Sequence, residues 1–208
     1  MTYQPTTIQD DLNTLPKLLG WVTSGRAETL ETVAFRSGAA LTVLDQLVGD
    51  PRQDVPVKLL ANRLALSAAT ATSKLVGRLA QEADIRDAFH LTPPGEARGP
   101  DGDLLAFWRE AVRMRTSGTG EIADLIGADF AEDVADWLED GQERARTHGP
   151  LAGCVCALRT VLEADDRAER VACLLSDVLL ARALNWKTVL PVSARRLTKA
   201  ALRNFPAD

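Results

Sequence analysis

Helical periodicity recurs along this chain of 208 residues, whereas no strand-like alternation of apolar and polar side chains persists for more than a few residues. Aromatic residues make up only 5% of the sequence while Ala and Leu are abundant, a composition that favours helices over strands. Apolar residues make up 46%, enough to bury a sizeable core. The sequence therefore predicts an all-α fold, a single compact bundle of about eight to ten helices.

Proline and glycine set the predicted helix boundaries, because proline cannot continue a helix and glycine readily ends one. Residues 1–14 are expected to be loosely ordered, and residues 15–208 to form a single all-helical domain. Residues 116–120 are the best linker candidate, which allows a two-lobed arrangement about this segment. The helix at residues 56–77 is rich in small side chains, which let neighbouring helices approach closely, and is predicted to be central. Helices are predicted at about residues 15–23, 28–48, 56–77, 81–91, 103–112, 121–126, 130–147, 150–163, 166–184 and 193–204.

The cellular compartment is predicted from signals that the sequence lacks. The N-terminus has neither the basic nor the apolar region of a secretory signal, and charged residues interrupt the two most apolar windows. Three cysteines are too few for a disulfide-stabilised scaffold and fit a reducing compartment. We therefore expect a cytoplasmic protein of bacterial type, with no membrane association.

One short helix carries the densest run of chemically suggestive side chains. Arg86, Asp87 and His90 fall on one face of this helix, and a carboxylate three residues before a histidine can orient its imidazole. Arg63, on the preceding helix, belongs to a polar stripe with Ser67, Thr70 and Lys74 that could receive an anionic ligand or an acidic partner. The alternative is the exposed edge of a core helix, with Arg63 paired to a nearby carboxylate such as Asp87. Arg63, Arg86, Asp87 and His90 form the candidate binding face. The alternative is a polar helix face with His90 in its last turn, where a cation complements the helix dipole.

Charge is unevenly distributed over a chain whose net charge is −5. The helix at residues 130–147 is amphipathic, and one side is a candidate acidic docking face for a basic partner or simply a solvated face. The last helix carries candidate phosphate contacts, although an acidic chain with no recognisable helix-turn-helix makes DNA the minority interpretation. The acidic set is Glu132, Asp133, Asp136, Glu139 and Asp140, and the basic set is Arg195, Arg196, Lys199 and Arg203.

No catalytic set, metal site or cofactor site is predicted. Cys154 and Cys156 lie two residues apart, so one helix would point their thiols in nearly opposite directions and could not offer both to one ion. No nucleophile stands at motif spacing near His90, and the glycine-rich loop that cradles phosphates is absent from the sequence. These observations favour binding over catalysis.

The segment NRLALSAATATSKLVGRLAQEADIRDAFHLTPPGEARGPDGDLLAFWR resembles the central block of a bacterial family catalogued as domain of unknown function 1403. The motif runs from Arg86 to Gly95 as RDAFHLTPPG, and AFRSGAALTVLDQLV and LSDVLLARALNWKTVLPV resemble the earlier and later blocks. The later block usually has glycine where this chain has Asn185, a residue that also tolerates the left-handed conformation that ends a helix. The resemblance covers about residues 15–203. It carries over no catalytic residues and implies an association with plasmid and mobile-element genes.

We therefore expect a binding protein, most simply a protein–protein interaction or adaptor module without catalysis, acting on a protein partner or by self-association. A DNA-associated accessory factor of plasmid or mobile-element maintenance is the first alternative, and the family resemblance favours it. A small-molecule binder or enzyme with a site around Arg63, Asp87 and His90 is the second alternative.

Overall fold

A computed structural model describes residues 15–24, 29–50, 56–195 and 198. Within these ranges the chain forms nine α-helices and one 3-10 helix, and its only β-type pairing is an isolated bridge between Arg115 and Thr188. The all-α prediction is confirmed. The α-helices are α1 (Gly20–Thr23), α2 (Leu30–Val48), α3 (Val57–Leu75), α4 (Glu82–His90), α5 (Gly99–Ala111), α6 (Thr119–Ile126), α7 (Val134–His148), α8 (Pro150–Ala164) and α9 (Glu169–Ala183); the 3-10 helix is Ser193–Arg195.

Residues with positive φ end several helices, as the sequence predicts. Gly77 (φ 81°) follows α3, and Gly149 (φ 93°) separates α7 from α8. Asn185 (φ 57°) follows α9, and the next residue, Trp186, donates its N–H to the carbonyl of Ala181 at 2.8 Å. This bond satisfies a carbonyl that the end of the helix leaves without an intrahelical donor. Asn185 therefore ends α9 in the left-handed conformation that glycine often adopts at helix ends.

Contacts along the chain divide it into two compact units, residues 1–57 and residues 58–208. In the first unit α1 packs on α2. Residues 116–120 lie inside the second unit, where they lead from α5 into α6 rather than joining two lobes. They are held there because Thr116 donates its hydroxyl to the carbonyl of Trp186 at 2.9 Å. The prediction that residues 15–208 fold as one domain stays a prediction.

The most buried helix of the second unit is α9, not α3. Eleven of the fifteen residues of α9 are buried, compared with eight of the nineteen residues of α3. The prediction of a central α3 was therefore wrong. Small side chains permit close packing, but they do not decide which helix is surrounded on all sides. The uninterrupted apolar run of α9, from Val171 to Leu175, matches burial around the helix circumference.

Two glycines allow α7, α8 and α9 to approach one another closely. A Cβ placed on Gly153 of α8 would lie 2.5 Å from the carbonyl oxygen of Gly141 and 2.8 Å from the Cβ of Ala145, both on α7. A Cβ on Gly141 would collide with the Leu179 side chain of α9. Only the absence of a side chain at these two positions permits this packing.

Buried polar bonds connect α3 to α5. The indole N–H of Trp108, which is fully buried, donates to the hydroxyl of Thr72 at 3.1 Å, and that hydroxyl in turn donates to the carbonyl of Ala68 at 2.8 Å. Ser73 donates to the carboxylate of Asp101 at 3.0 Å. These bonds satisfy side chains that would otherwise be buried without partners. No helix in the described part of the chain is long and apolar enough to cross a membrane.

Candidate functional site

The structure places Arg86, Asp87 and His90 on the surface at one side of α4. The guanidinium of Arg86 pairs with Asp87, with 2.8 Å between Arg86 Nη2 and Asp87 Oδ1, and about half of each side chain is exposed. Asp87 is thus engaged by its chain neighbour. His90 lies in the last turn of α4 and is exposed. These residues form a polar face on the surface of α4, and whether this face binds a ligand stays a prediction.

His90 contacts α5 as part of a stacked cluster around Phe89. The guanidinium groups of Arg98 and Arg109 lie over the Phe89 ring, at 5.1 and 5.0 Å from its centroid. The His90 ring packs edge-on against Phe89 at 5.0 Å. His90 Nε2 is 3.4 Å from a nitrogen of Arg109. Because a guanidinium has no acceptor, Nε2 is the acceptor in this contact. The cluster fastens the end of α4 to α5.

Arg63 does not join this cluster through polar contacts. It is exposed on α3 together with Lys74, and the stripe that the sequence predicts includes Thr70, whose hydroxyl donates to the carbonyl of Leu66 at 2.9 Å. Among the described residues, no hydrogen bond or ion pair links Arg63 to Asp87 or His90. A ligand site formed by Arg63, Asp87 and His90 therefore gains no support from this geometry.

The acidic docking face lies on the outer side of α7 and the turn before it. All five of its residues are exposed, while Val134, Trp137 and Leu138 on the opposite side are buried. The predicted amphipathicity of this helix is confirmed. Whether its acidic side binds a partner stays a prediction.

Of the four predicted phosphate contacts, Arg195 is described, and it is exposed at the end of the 3-10 helix. Arg196, Lys199 and Arg203 lie outside the described residues. Ser193, which the sequence places at the start of the last helix, begins the 3-10 helix and donates to Asp177 of α9. The described part of the segment is therefore anchored to the core by its first residue.

Asp177 is a buried carboxylate that sequence reasoning missed. Its Oδ1 accepts hydrogen bonds from the N–H of Val192 at 3.1 Å, the N–H of Ser193 at 2.9 Å and the hydroxyl of Ser193 at 2.8 Å. Its Oδ2 is buried and has no hydrogen-bond partner among the described residues. Burial raises the pKa of Asp177 to about 7, while the bonds from Ser193 and Val192 act in the opposite direction. An acidic residue within the apolar α9 was the only signal in the sequence.

Two of the three cysteines, Cys154 and Cys173, are buried and carry little reactivity. Burial raises the pKa of the Cys154 thiol to about 11 and raises that of Cys173 further. Both thiols therefore stay protonated near neutral pH, and the thiolate is the nucleophilic form. Cys154 donates to the carbonyl of Ser176 at 3.4 Å, as a structural side chain would.

The first unit exposes apolar side chains that the sequence analysis did not single out. Trp21 of α1 stacks on Phe35 of α2, with ring centroids 5.4 Å apart, yet 43% of Trp21 and 69% of Phe35 remain exposed. Neither α1 nor α2 has a single buried residue. The exposed large apolar side chains here, named the α1–α2 surface, are Leu18, Leu19, Trp21, Leu30, Val33 and Phe35. The clue in the sequence is that α2 carries only three charged residues in nineteen.

A row of small side chains runs along the exposed side of α2. Ala34, Gly38 and Thr42 follow each other at a spacing of four residues, and all three are exposed. A Cβ placed on Gly38 would meet nothing within 4 Å. Phe35 and Leu30 flank this row. Small residues at one face let a second helix approach closely, while the flanking apolar side chains supply contact area.

Residues 6–208 match the model of the family described as "Protein of unknown function (DUF1403)". The chain belongs to this family. No curated protein and no solved structure matches it. The resemblance seen in the sequence is thus confirmed over nearly the whole chain, and DUF1403 as described supplies no activity to transfer.

In this DUF1403 chain, the motif at residues 86–95 spans the end of α4 and the turn that follows it. Thr92 donates its hydroxyl to the carbonyl of Ala88 at 2.6 Å, and Gly95 adopts a positive φ of 91°. The same carbonyl would lie 3.2 Å from a Cβ on Gly102, so α5 packs against this end of α4. The second half of the motif therefore ends α4 and turns the chain into α5.

Proposed function

We propose that this protein is a protein–protein interaction module without catalysis, that it works by self-association, and that the α1–α2 surface is the contact. It acts in the bacterial cytoplasm, which accords with three free cysteines. The observation that carries the proposal is the exposed stack of Trp21 and Phe35 in a unit whose two described helices bury no residue.

The described helices of the first unit, α1 and α2, contain no buried side chains that could form a hydrophobic core. An amphipathic helix gains most of its stability by packing an apolar face against another element, and a pair of helices without buried side chains has not completed this. Aromatic side chains bury large areas and dominate interface energetics. Covering Trp21, Leu30 and Phe35 would remove apolar surface from water, at roughly 25 cal/mol for each Å².

A second copy of the chain is the occupant that fits best. Two copies of α1–α2, related by a two-fold axis, would supply each other with the missing layer through one self-complementary patch. Because α2 carries few charged residues, it fits a partner surface that is also apolar and also carries few charges. The α2 helix of a second copy is such a surface. The row of Ala34, Gly38 and Thr42 permits close approach of two helices at the centre of such a contact.

The test measures the mass of the full-length protein in solution by analytical ultracentrifugation over a range of concentrations. We expect a dimer in the wild type and a monomer in Phe35→Glu or Leu30→Glu, since each buries a carboxylate in the proposed interface. Ala83→Glu is the matched control: it adds the same charge on an exposed position of α4 and should remain dimeric. Circular dichroism verifies that the variants stay folded.

A wild type that stays monomeric at every concentration would overturn self-association, as would a dimer that Phe35→Glu and Leu30→Glu leave intact. The next experiment is then purification from the native host with and without nuclease. Loss of co-purifying material on nuclease treatment, together with DNA affinity that falls steeply with salt, would favour the DNA-associated alternative.

A further inference from the structure

A cavity of about 670 Å³ opens where the end of α9 meets the segment joining α5 to α6. Three cations line it: Arg182 from α9, Arg115 from the joining segment and Lys187 from beyond α9. Hydroxyl and amide groups complete the polar lining, and Trp186, which is buried, supplies an apolar wall. Cavities of this size are typical of small-molecule sites.

Arg182 is held in place by the protein. Its Nε donates to the carbonyl of Thr116 at 2.6 Å, and its Nη2 donates to the hydroxyl of Thr119 at 3.2 Å. Thr116 is itself fixed by its bond to the carbonyl of Trp186 at 2.9 Å. These contacts do not use Nη1, so a positioned guanidinium retains donors for another group. Preorganised donors of this kind lower the ordering cost of binding.

Arg182 is also partly buried. Burial lowers the pKa of its guanidinium from the usual range, and within the described ranges no carboxylate lies within ion-pair distance of it. A cation that is partly removed from water interacts more strongly with an anion than an exposed one does. Such a group, at the wall of a cavity, favours a negatively charged ligand.

The other charged side chains at the cavity indicate which ligand charge it favours. Arg115 pairs with Glu121, with 3.5 Å between their charged atoms, and Lys187 is exposed at the rim. The side chains of Arg182, Lys187, Arg115 and Glu121 together carry a formal charge of +2. A phosphate monoester carries about two negative charges at neutral pH and offers three acceptor oxygens. Guanidinium groups bind phosphate through paired hydrogen bonds.

We propose that this cavity binds a small phosphorylated molecule, with the phosphate held by Arg182 and steered by Lys187 and Arg115, and the organic part against Trp186. The limited volume of about 670 Å³ favours a small molecule over a nucleic-acid backbone. This site lies wholly among residues 115–187 and does not depend on the α1–α2 surface.

The test uses phenyl phosphate as the probe and benzoate as the matched carboxylate, each titrated calorimetrically into the full-length protein at low salt. We expect phenyl phosphate to bind more tightly than benzoate. Arg182→Gln should weaken its binding at least about 10-fold, because it removes the charge-assisted hydrogen bonds to the phosphate. Lys187→Gln should weaken it by a smaller factor, about 2- to 5-fold, since Lys187 is exposed, and Lys187→Arg should restore it.

Arg113→Gln is the control, because it removes an exposed cation that does not line the cavity. Because Arg182 also holds Thr116, its variant could unfold, and Lys187→Gln then decides the question. The proposal is overturned if phenyl phosphate does not bind at millimolar concentration or if benzoate binds equally well. It is also overturned if Lys187→Gln binds like the wild type, or if Arg113→Gln weakens binding as much as Lys187→Gln does.

Discussion

Ser193 donates both its backbone N–H and its hydroxyl to the same oxygen of Asp177, at 2.9 and 2.8 Å. Val192 adds a second backbone N–H at 3.1 Å. The Asp177 carboxylate in α9 thus accepts the N–H groups at the start of the 3-10 helix, those of Val192 and Ser193. Such N-terminal capping usually comes from a residue adjacent in sequence. Asp177 therefore joins the end of the described chain to its most buried helix.

We expect Asp177→Ala to lower the free energy of unfolding by about 2–4 kcal/mol, because it leaves donors of Val192 and Ser193 without an acceptor. Urea denaturation followed by circular dichroism measures this loss. Glu163→Ala, an exposed change near the end of α8, is the control and should alter stability by less than about 0.5 kcal/mol. Equal losses in the two variants would contradict the anchoring role of Asp177.

Stability should depend on pH through the same carboxyl group. Because burial raises the pKa of Asp177 from 3.8 to about 7, the folded protein holds a proton that the unfolded chain releases between these values. The contribution of Asp177 to the free energy of unfolding is therefore greatest below about pH 4 and is lost as the pH rises towards 7.

Asp177→Asn isolates this effect, since the amide keeps an acceptor oxygen and does not titrate. Urea denaturation of both proteins from about pH 5 to about pH 8 should show the difference in stability moving in favour of the variant, by up to about 1 kcal/mol per pH unit. A constant difference would show that Asp177 is already ionised in the folded state at the lower pH, and a difference that moves in favour of the wild type would contradict the raised pKa.

The close packing of α7, α8 and α9 makes Gly141 and Gly153 intolerant of a methyl group. Gly153→Ala and Gly141→Ala should each lower the free energy of unfolding by about 1–3 kcal/mol, although alanine is the better helix former. Thermal and urea denaturation measure the loss. Gly120→Ala in α6, where an added Cβ meets nothing within 4 Å, should be neutral or slightly stabilising. The packing argument fails if all three variants behave alike.

The bond between Trp108 and Thr72 can be tested with a pair of similar threonines. Thr72→Val should cost about 1–3 kcal/mol, because the buried indole N–H loses its acceptor. Thr70→Val should cost less, since the Thr70 hydroxyl donates only to a carbonyl of its own helix. Urea denaturation compares the two variants. A larger loss for Thr70→Val would show that the indole bond contributes little.

Local sequence signals predicted the helices well. Gly149 with Pro150, and Asn185 after α9, end or begin helices through backbone conformations that these residue types favour by themselves. The helix boundaries that they mark can therefore be predicted without knowledge of the fold. The amphipathic α7 was predictable for a similar reason, because Trp137 and Leu138 share one side of a helix with a regular period.

Features that depend on distant parts of the chain could not be predicted. Asp177 meets Ser193 across a loop, and Arg182 meets Thr116 and Thr119 across more than sixty residues. The sequence contains both partners in each case but gives no sign that they are neighbours. The small side chains of α3 suggested a central helix, whereas burial follows from the number of elements that pack around α9.

All buried residues among those described lie between Ala61 and Ala194, so α2 contributes none of them. Most amino-acid changes harm a protein by loosening its interior, and at α2 this penalty is small. A substitution on α2 therefore leaves the packed interior of the described chain intact, and the property that it changes is the proposed self-association.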